Sequence, residues 1–110
     1  MAHYMLRWQF SHDAVKALVN KPQDRMKPAT ALIEGFGGKL HCYYMALGEY
    51  DGFGVVEFPD PVAVAACSMK AASTGAFSRF ETMALLTTAE AERAMQQAKT
   101  ANVSYQAPNA

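Results

Sequence analysis

Cysteine is scarce in this chain: Cys42 and Cys67 are the only two in 110 residues. That is too few for a disulfide framework, and both are expected to be reduced, buried thiols. An excess of either charge is also lacking. Ten basic residues balance ten acidic ones, so no bulk field draws the chain to nucleic acid or to an anionic membrane surface. No apolar run approaches the roughly 20 residues of a membrane-spanning helix. The early positions, with Arg7, His12, Asp13 and Lys16, hold no continuous apolar stretch. The expectation is a cytoplasmic protein with neither membrane nor nucleic-acid partners. Motifs that would fix an enzyme class are absent as well. Gly35-Phe36-Gly37-Gly38 follows a helical pattern instead of opening one, so it is no phosphate loop, and there is neither a nucleophile elbow nor a zinc-type spacing of His and Cys. No cofactor and no metal are expected.

What is present is enough for one domain: 51% of the residues are hydrophobic, and a chain of this length buries a core without metal or disulfide. Tyr4, Leu6, Trp8 and Phe10 alternate with Met5, Arg7 and Gln9, the period of a half-buried strand. Ser11 then caps a helix striped by Ala14, Val15, Leu18 and Val19. Asn20-Lys21-Pro22 separates it from a second helical piece carrying Met26, Ala29, Leu32, Ile33 and Phe36, which Gly37-Gly38 closes. Lys39 to Leu47 and Phe53 to Phe58 read as two strands joined through Gly48 to Gly52. Asp60-Pro61 opens a helix, Phe77 to Leu86 is the fourth strand, and Thr87 with Glu90 has the spacing of a capping box. The last helix is expected to be buried through Ala91, Ala94, Met95 and Ala98.

This order, β-α-β-β-α-β with an added C-terminal helix, is the split β-α-β pattern of a ferredoxin-like α+β fold with a four-stranded antiparallel sheet. Residues 1–102 form the domain and 103–110 a flexible tail. If Leu6 and Trp8 face the helices, the opposite face carries Met5, Arg7, Gln9, Phe53, Val55, Glu57, Arg79, Glu81 and Met83. That mixture is too apolar to leave wholly in water and too charged for a dry core. A homodimer stacking two sheets around a partly polar cavity reconciles the two facts.

Gly48-Glu49-Tyr50-Asp51 resembles the turn that names the GYD domain family. The likeness continues in Gly37-Gly38-Lys39, Tyr43-Tyr44-Met45, Val55-Val56-Glu57, Pro59-Asp60 and Arg79-x-Glu81-Thr82, over roughly residues 4 to 95. The resemblance implies a small ferredoxin-like protein that assembles as a dimeric α+β barrel, and it carries over no activity. Two departures stand out. Gly52 and Gly54 occupy positions where the family has bulkier strand residues, which loosens packing or makes room there. Pro28 interrupts a segment the family keeps helical.

Candidate site residues follow from the polar face. Glu49 and Asp51 flank Tyr50 and could act as acid and base, although an Asp in a turn more often accepts backbone N–H groups. His41 and Tyr43, two apart on one strand, are expected to share a face, while His3 and His12 read as exposed. Arg7 and Arg79 should be neighbours, joined with Glu57 and Glu81 in an ion-pair network or receiving an anionic ligand. Arg7, His41, Tyr43, Glu49, Tyr50, Asp51, Glu57 and Arg79 are therefore expected to border a site for a small organic molecule in a non-catalytic binding or assembly module. The alternative is a cofactor-independent monooxygenase or isomerase of the dimeric α+β barrel type.

Overall fold

The computed structural model describes residues 1–109. Its elements are β1 (Ala2–Phe10), α1 (His12–Asn20), α2 (Met26–Gly35), β2 (Lys39–Met45), β3 (Gly52–Phe58), α3 (Pro61–Ala72), β4 (Phe77–Leu85) and α4 (Thr88–Thr100). The four strands form one antiparallel sheet in the order β2-β3-β1-β4. This is the expected ferredoxin-like α+β arrangement, with the first crossover split into two helices.

The helix starts are set by the side chains read from the sequence. Ser11 accepts the Ala14 N–H, Asp60 accepts the Ala63 N–H with Pro61 behind it, and Thr87 and Glu90 form a complete capping box. Pro28 is accommodated without breaking α2, because it falls in the first turn, where its missing N–H has no helical partner to lose. Gly37, at φ 80°, supplies the left-handed residue after α2, and Gly38 N–H returns to the Ile33 carbonyl.

One face of the sheet is the core. Tyr4, Leu6 and Trp8 of β1 and Val56 and Phe58 of β3 pack with Ile33 of α2 and with Val64 and Cys67 of α3. Val56 and Phe58 are fully buried, and each such side chain contributes about 1.5–3 kcal/mol of transfer free energy. Cys67 is buried as expected, whereas Cys42 is only half-buried.

The two unusual glycines of β3 have a steric cause. A methyl group on Gly52 would stand 2.5 Å from Cζ2 of Trp8, and one on Gly54 would stand 3.0 Å from the Cys42 carbonyl oxygen. The room made after the turn is taken by the Trp8 indole, which also meets the rings of Tyr43, Phe77 and Phe80 at 5.2–6.4 Å.

The last helix departs from expectation. No residue of α4 is buried, and Met95, expected in the core, is 68% exposed. The described residues extend over 59 × 34 × 22 Å with a radius of gyration of 17.8 Å, where a compact chain of this length has about 13 Å. The apolar stripe of α4 is real as a pattern but is not buried against anything among the described residues. Of the expected tail, residues 103–109 form no helix or strand, and Ala110 lies outside the described residues.

Candidate functional site

Among the described residues, no helix covers the second face of the sheet. Register places on it His3, Met5, Arg7 and Gln9 of β1, opposite Glu57, Val55 and Phe53 of β3 and Leu85, Met83, Glu81 and Arg79 of β4. Because side chains alternate, this whole set follows from Tyr4, Leu6 and Trp8 being buried on the other side.

β2 does not alternate uniformly. A bulge between Leu40 and Cys42 shifts its register by one residue, so Leu40 pairs with Val56 and Tyr43 with Gly54. Leu40 and Tyr43 both pack against the core, with Tyr43 on the Trp8 ring, while His41 turns to the open face and reaches Glu57. The expectation that His41 and Tyr43 share a face is therefore overturned: one extra residue reverses the facing of everything after it.

The polar residues of the open face form two clusters, not one. The first is organised by the loop from Ala46 to Asp51. Gly48 takes φ 127°, the Ala46 N–H bonds to the Asp51 carbonyl, and the Asp51 N–H bonds to the Trp8 carbonyl. The Asp51 carboxylate accepts the Phe10 N–H at 2.8 Å, and Gln9 donates to the Glu49 carbonyl. Asp51 thus ties the loop to the end of β1, the backbone-accepting role weighed for it from the sequence. Tyr50 is thereby laid over the sheet between two guanidiniums, with Arg7 at 4.2 Å and Arg79 at 5.4 Å from its ring centre. Its hydroxyl donates to Glu81 Oε1 at 2.7 Å, Arg7 Nε donates to Glu81 Oε2 at 2.6 Å, and Arg79 pairs with both Glu81 (3.3 Å) and Glu49 (3.0 Å).

Hydrogen bonds from Tyr50 and Arg7 hold the Glu81 carboxyl below its ordinary range against the opposing effect of burial, and the same bond from Tyr50 pushes the phenol up. A carboxylate with a lowered folded-state pKa contributes stability that is complete above its unfolded value and is lost as pH falls through the folded one. The stability difference between wild type and Glu81→Gln should accordingly be greatest at neutral pH and shrink below pH 4.5, the ordinary glutamate value. Urea midpoints measured across that range check this; parallel acid limbs would contradict it.

The second cluster lies at the other end of the face, four residues along β1, about 13 Å away. His3 Nε2 is 3.0 Å from Glu57 Oε1, His41 Nε2 is 3.2 Å from Glu57 Oε2, and the imidazoles stack with centres 5.6 Å apart. Glu57 belongs here and not with Arg7 and Arg79, correcting the single network expected from the sequence. His3 was read as an exposed terminal residue. It is instead a strand residue, since β1 begins at Ala2, two residues earlier than its alternation announced. The Arg7↔Glu81 register was the signal available for Glu81; nothing local to His3 pointed to Glu57.

Between the sheet and the helices lies an apolar cavity of about 100 Å³ lined by Leu6, Trp8, Leu40, Tyr43, Cys67 and Phe80, among others. It is small beside the roughly 300–1,000 Å³ of organic-ligand pockets. Among the described residues, no helix is long and apolar enough to cross a membrane.

A single antiparallel sheet with helices on one face, and on the other an aromatic ring clamped between arginines over a glutamate, defines a ferredoxin-like α+β protein with a preorganised polar sheet face. The profile of the GYD domain family matches residues 4–95, and the chain belongs to that family. Glu49, Tyr50 and Asp51, within the turn that names the family, are the residues that build the first cluster. No curated protein matches the chain. Among solved structures it is similar to At3g17210 from Arabidopsis thaliana, at 11% identity and TM-score 0.54 over 79% of this chain and 95% of that one. It is also similar to the crystal structure of FFRP-DM1, at 14% identity and TM-score 0.49 over 78% of this chain and 100% of that one. At such identities the likeness concerns the fold alone.

Proposed function

We propose that the protein is a homodimeric binding module whose open sheet faces stack on each other and enclose a site for a small organic molecule around Arg7, Tyr50 and Arg79. The observation that carries this reading is the open face itself. It mixes apolar Met5, Phe53, Val55 and Met83 with paired charges, and among the described residues only the Tyr50 loop reaches over it while no helix covers it. Positive and negative groups balance on it, so two copies can approach without net repulsion. The unpartnered stripe of α4 supports the same conclusion, because a second copy offers it cover.

The stacked Tyr44–Phe53 pair, with Arg7 opposite Phe53, suits a ligand with a flat apolar body and a polar end. The core cavity suits it less, being too small. An enzyme reading needs His41 or a carboxylate as a base beside Tyr43 or Arg79. Tyr43 lies on the face opposite His41, and Arg79 is three strands across and four to five residues along, about 20 Å away. Glu49 and Glu81 do lie beside Arg79, but as its ion-pair partners, which favours the binding reading over a free general base.

Thermal unfolding against a panel of small aromatic carboxylates and their neutral analogues tests the binding. A ligand at a hundred times its dissociation constant should add about 2.7 kcal/mol of stability. That gain should be lost in Arg7→Gln and Tyr50→Leu. Equal gains in wild type and both variants would place the ligand elsewhere.

A further inference from the structure

The second cluster on the open face does not belong to the Arg7–Tyr50 site and has a chemistry of its own. His3, His41 and Glu57 come from three adjacent strands, and one ligand atom from each lies within 4.8 Å of the others. An ion bonded at about 2.0–2.1 Å to imidazole nitrogen and carboxylate oxygen holds tetrahedral ligand atoms about 3.4 Å apart and right-angled ones about 2.9 Å apart. The two nitrogen–oxygen separations, 3.0 and 3.2 Å, already fall in that interval. The widest pair needs to close by no more than about 1.4 Å, which rotation of the half-exposed imidazoles supplies.

Backbone placement favours the same end. His3 and Glu57 are register partners in a continuous antiparallel ladder, so their Cβ atoms are fixed on one face. His41 is the extra residue of the β2 bulge, the device that re-aims a strand side chain. Both histidines present Nε2 to the same carboxylate, and the groups are partly exposed, with side chains 21–37% accessible, so an ion and its remaining water ligands can enter.

We propose that His3, His41 and Glu57 form a binding site for one divalent first-row transition ion. Two imidazoles with one carboxylate select Zn²⁺, Co²⁺ or Ni²⁺ over the all-oxygen coordination that Mg²⁺ and Ca²⁺ take. Three protein ligands leave at least one position open toward the space that the proposed dimer would enclose. Every protein ligand comes from one chain, so the ligand set is complete in a monomer as well as in the proposed dimer.

The test uses the full chain, free of any histidine tag and treated with a chelator. Zn²⁺ titrated calorimetrically should bind at one ion per chain, and Co²⁺ should give the intense visible absorption of a four- or five-coordinate site. Loss of an outer partner of a metal ligand costs about 10–100-fold in affinity, so His41→Gln and Glu57→Gln, which remove ligands, should cost at least that much. His12→Gln, at the exposed start of α1, should bind as wild type does. Three results would overturn the assignment: no stoichiometric uptake by wild type, a Co²⁺ spectrum of the weak six-coordinate aqueous kind, or unchanged affinity in folded His41→Gln and Glu57→Gln. The wild-type spectrum decides the matter even if a variant fails to fold.

Discussion

Replacing Trp8 with alanine should destabilise the fold by about 3–5 kcal/mol, the cost of emptying a large aromatic site in a close-packed core. Trp8 is 5% exposed and is the centre of the ring cluster with Tyr43, Phe77 and Phe80. Its surroundings include the cavity of about 100 Å³, so the neighbouring side chains already leave space unfilled and removal of the indole would enlarge it. The more specific expectation concerns Gly52. An alanine in a strand ordinarily improves on glycine by about 0.5–1 kcal/mol. Here the new methyl would meet the rigid indole at 2.5 Å from Cζ2 and 2.8 Å from Cε2, and overpacking of that kind costs about 1–3 kcal/mol. The sign should reverse in a Trp8→Phe background, because a phenyl ring lacks those indole atoms. A double-mutant cycle by urea unfolding should therefore return a coupling energy of about 1–3 kcal/mol between positions 8 and 52. Additive effects would mean that Gly52 is not shaped by the indole.

The second large effect concerns association. Val55 lies on the open face, between Met5 of β1 and Cys42 of β2. In the proposed dimer, Val55→Arg would bring two like charges together across the stacked faces, and like-charge juxtaposition costs several kcal/mol. Every 1.4 kcal/mol is tenfold, so the dimer dissociation constant should rise by at least about two decades. The isolated domain should lose far less, about 1 kcal/mol, because Val55 is only half-buried in the single chain and a long arginine can extend over the open face. Loss of fold together with loss of association would instead indicate that Val55 is needed inside the chain.

Much of this architecture was legible in the residues. Alternation at Tyr4, Leu6 and Trp8 assigned the two faces of the sheet, and Ser11, Asp60-Pro61 and the Thr87–Glu90 pair marked three helix starts that the structure has at those positions. The adjacency of Arg7 and Arg79 followed from topology alone. What escaped is of a different physical kind. A bulge inserts one residue without altering composition, so strict alternation carried Tyr43 to the wrong face. His3 met Glu57 only because β1 begins at Ala2, and a strand end has no period to announce it. The stripe on α4 declared that a face needs cover, but a pattern cannot say what supplies it, and none of the described residues does. Gly52 was visible as an exception, and its cause, the Trp8 ring across the pairing, required coordinates.

The central claim is that the open sheet face is completed by a second copy of the chain. Sedimentation equilibrium over a wide range of concentrations, run on wild type and on Val55→Arg with folding verified by circular dichroism, tests it most directly. A wild-type dimer with a folded, monomeric Val55→Arg is the expected result. Wild type monomeric throughout, or a dimer untouched by the arginine, would contradict it.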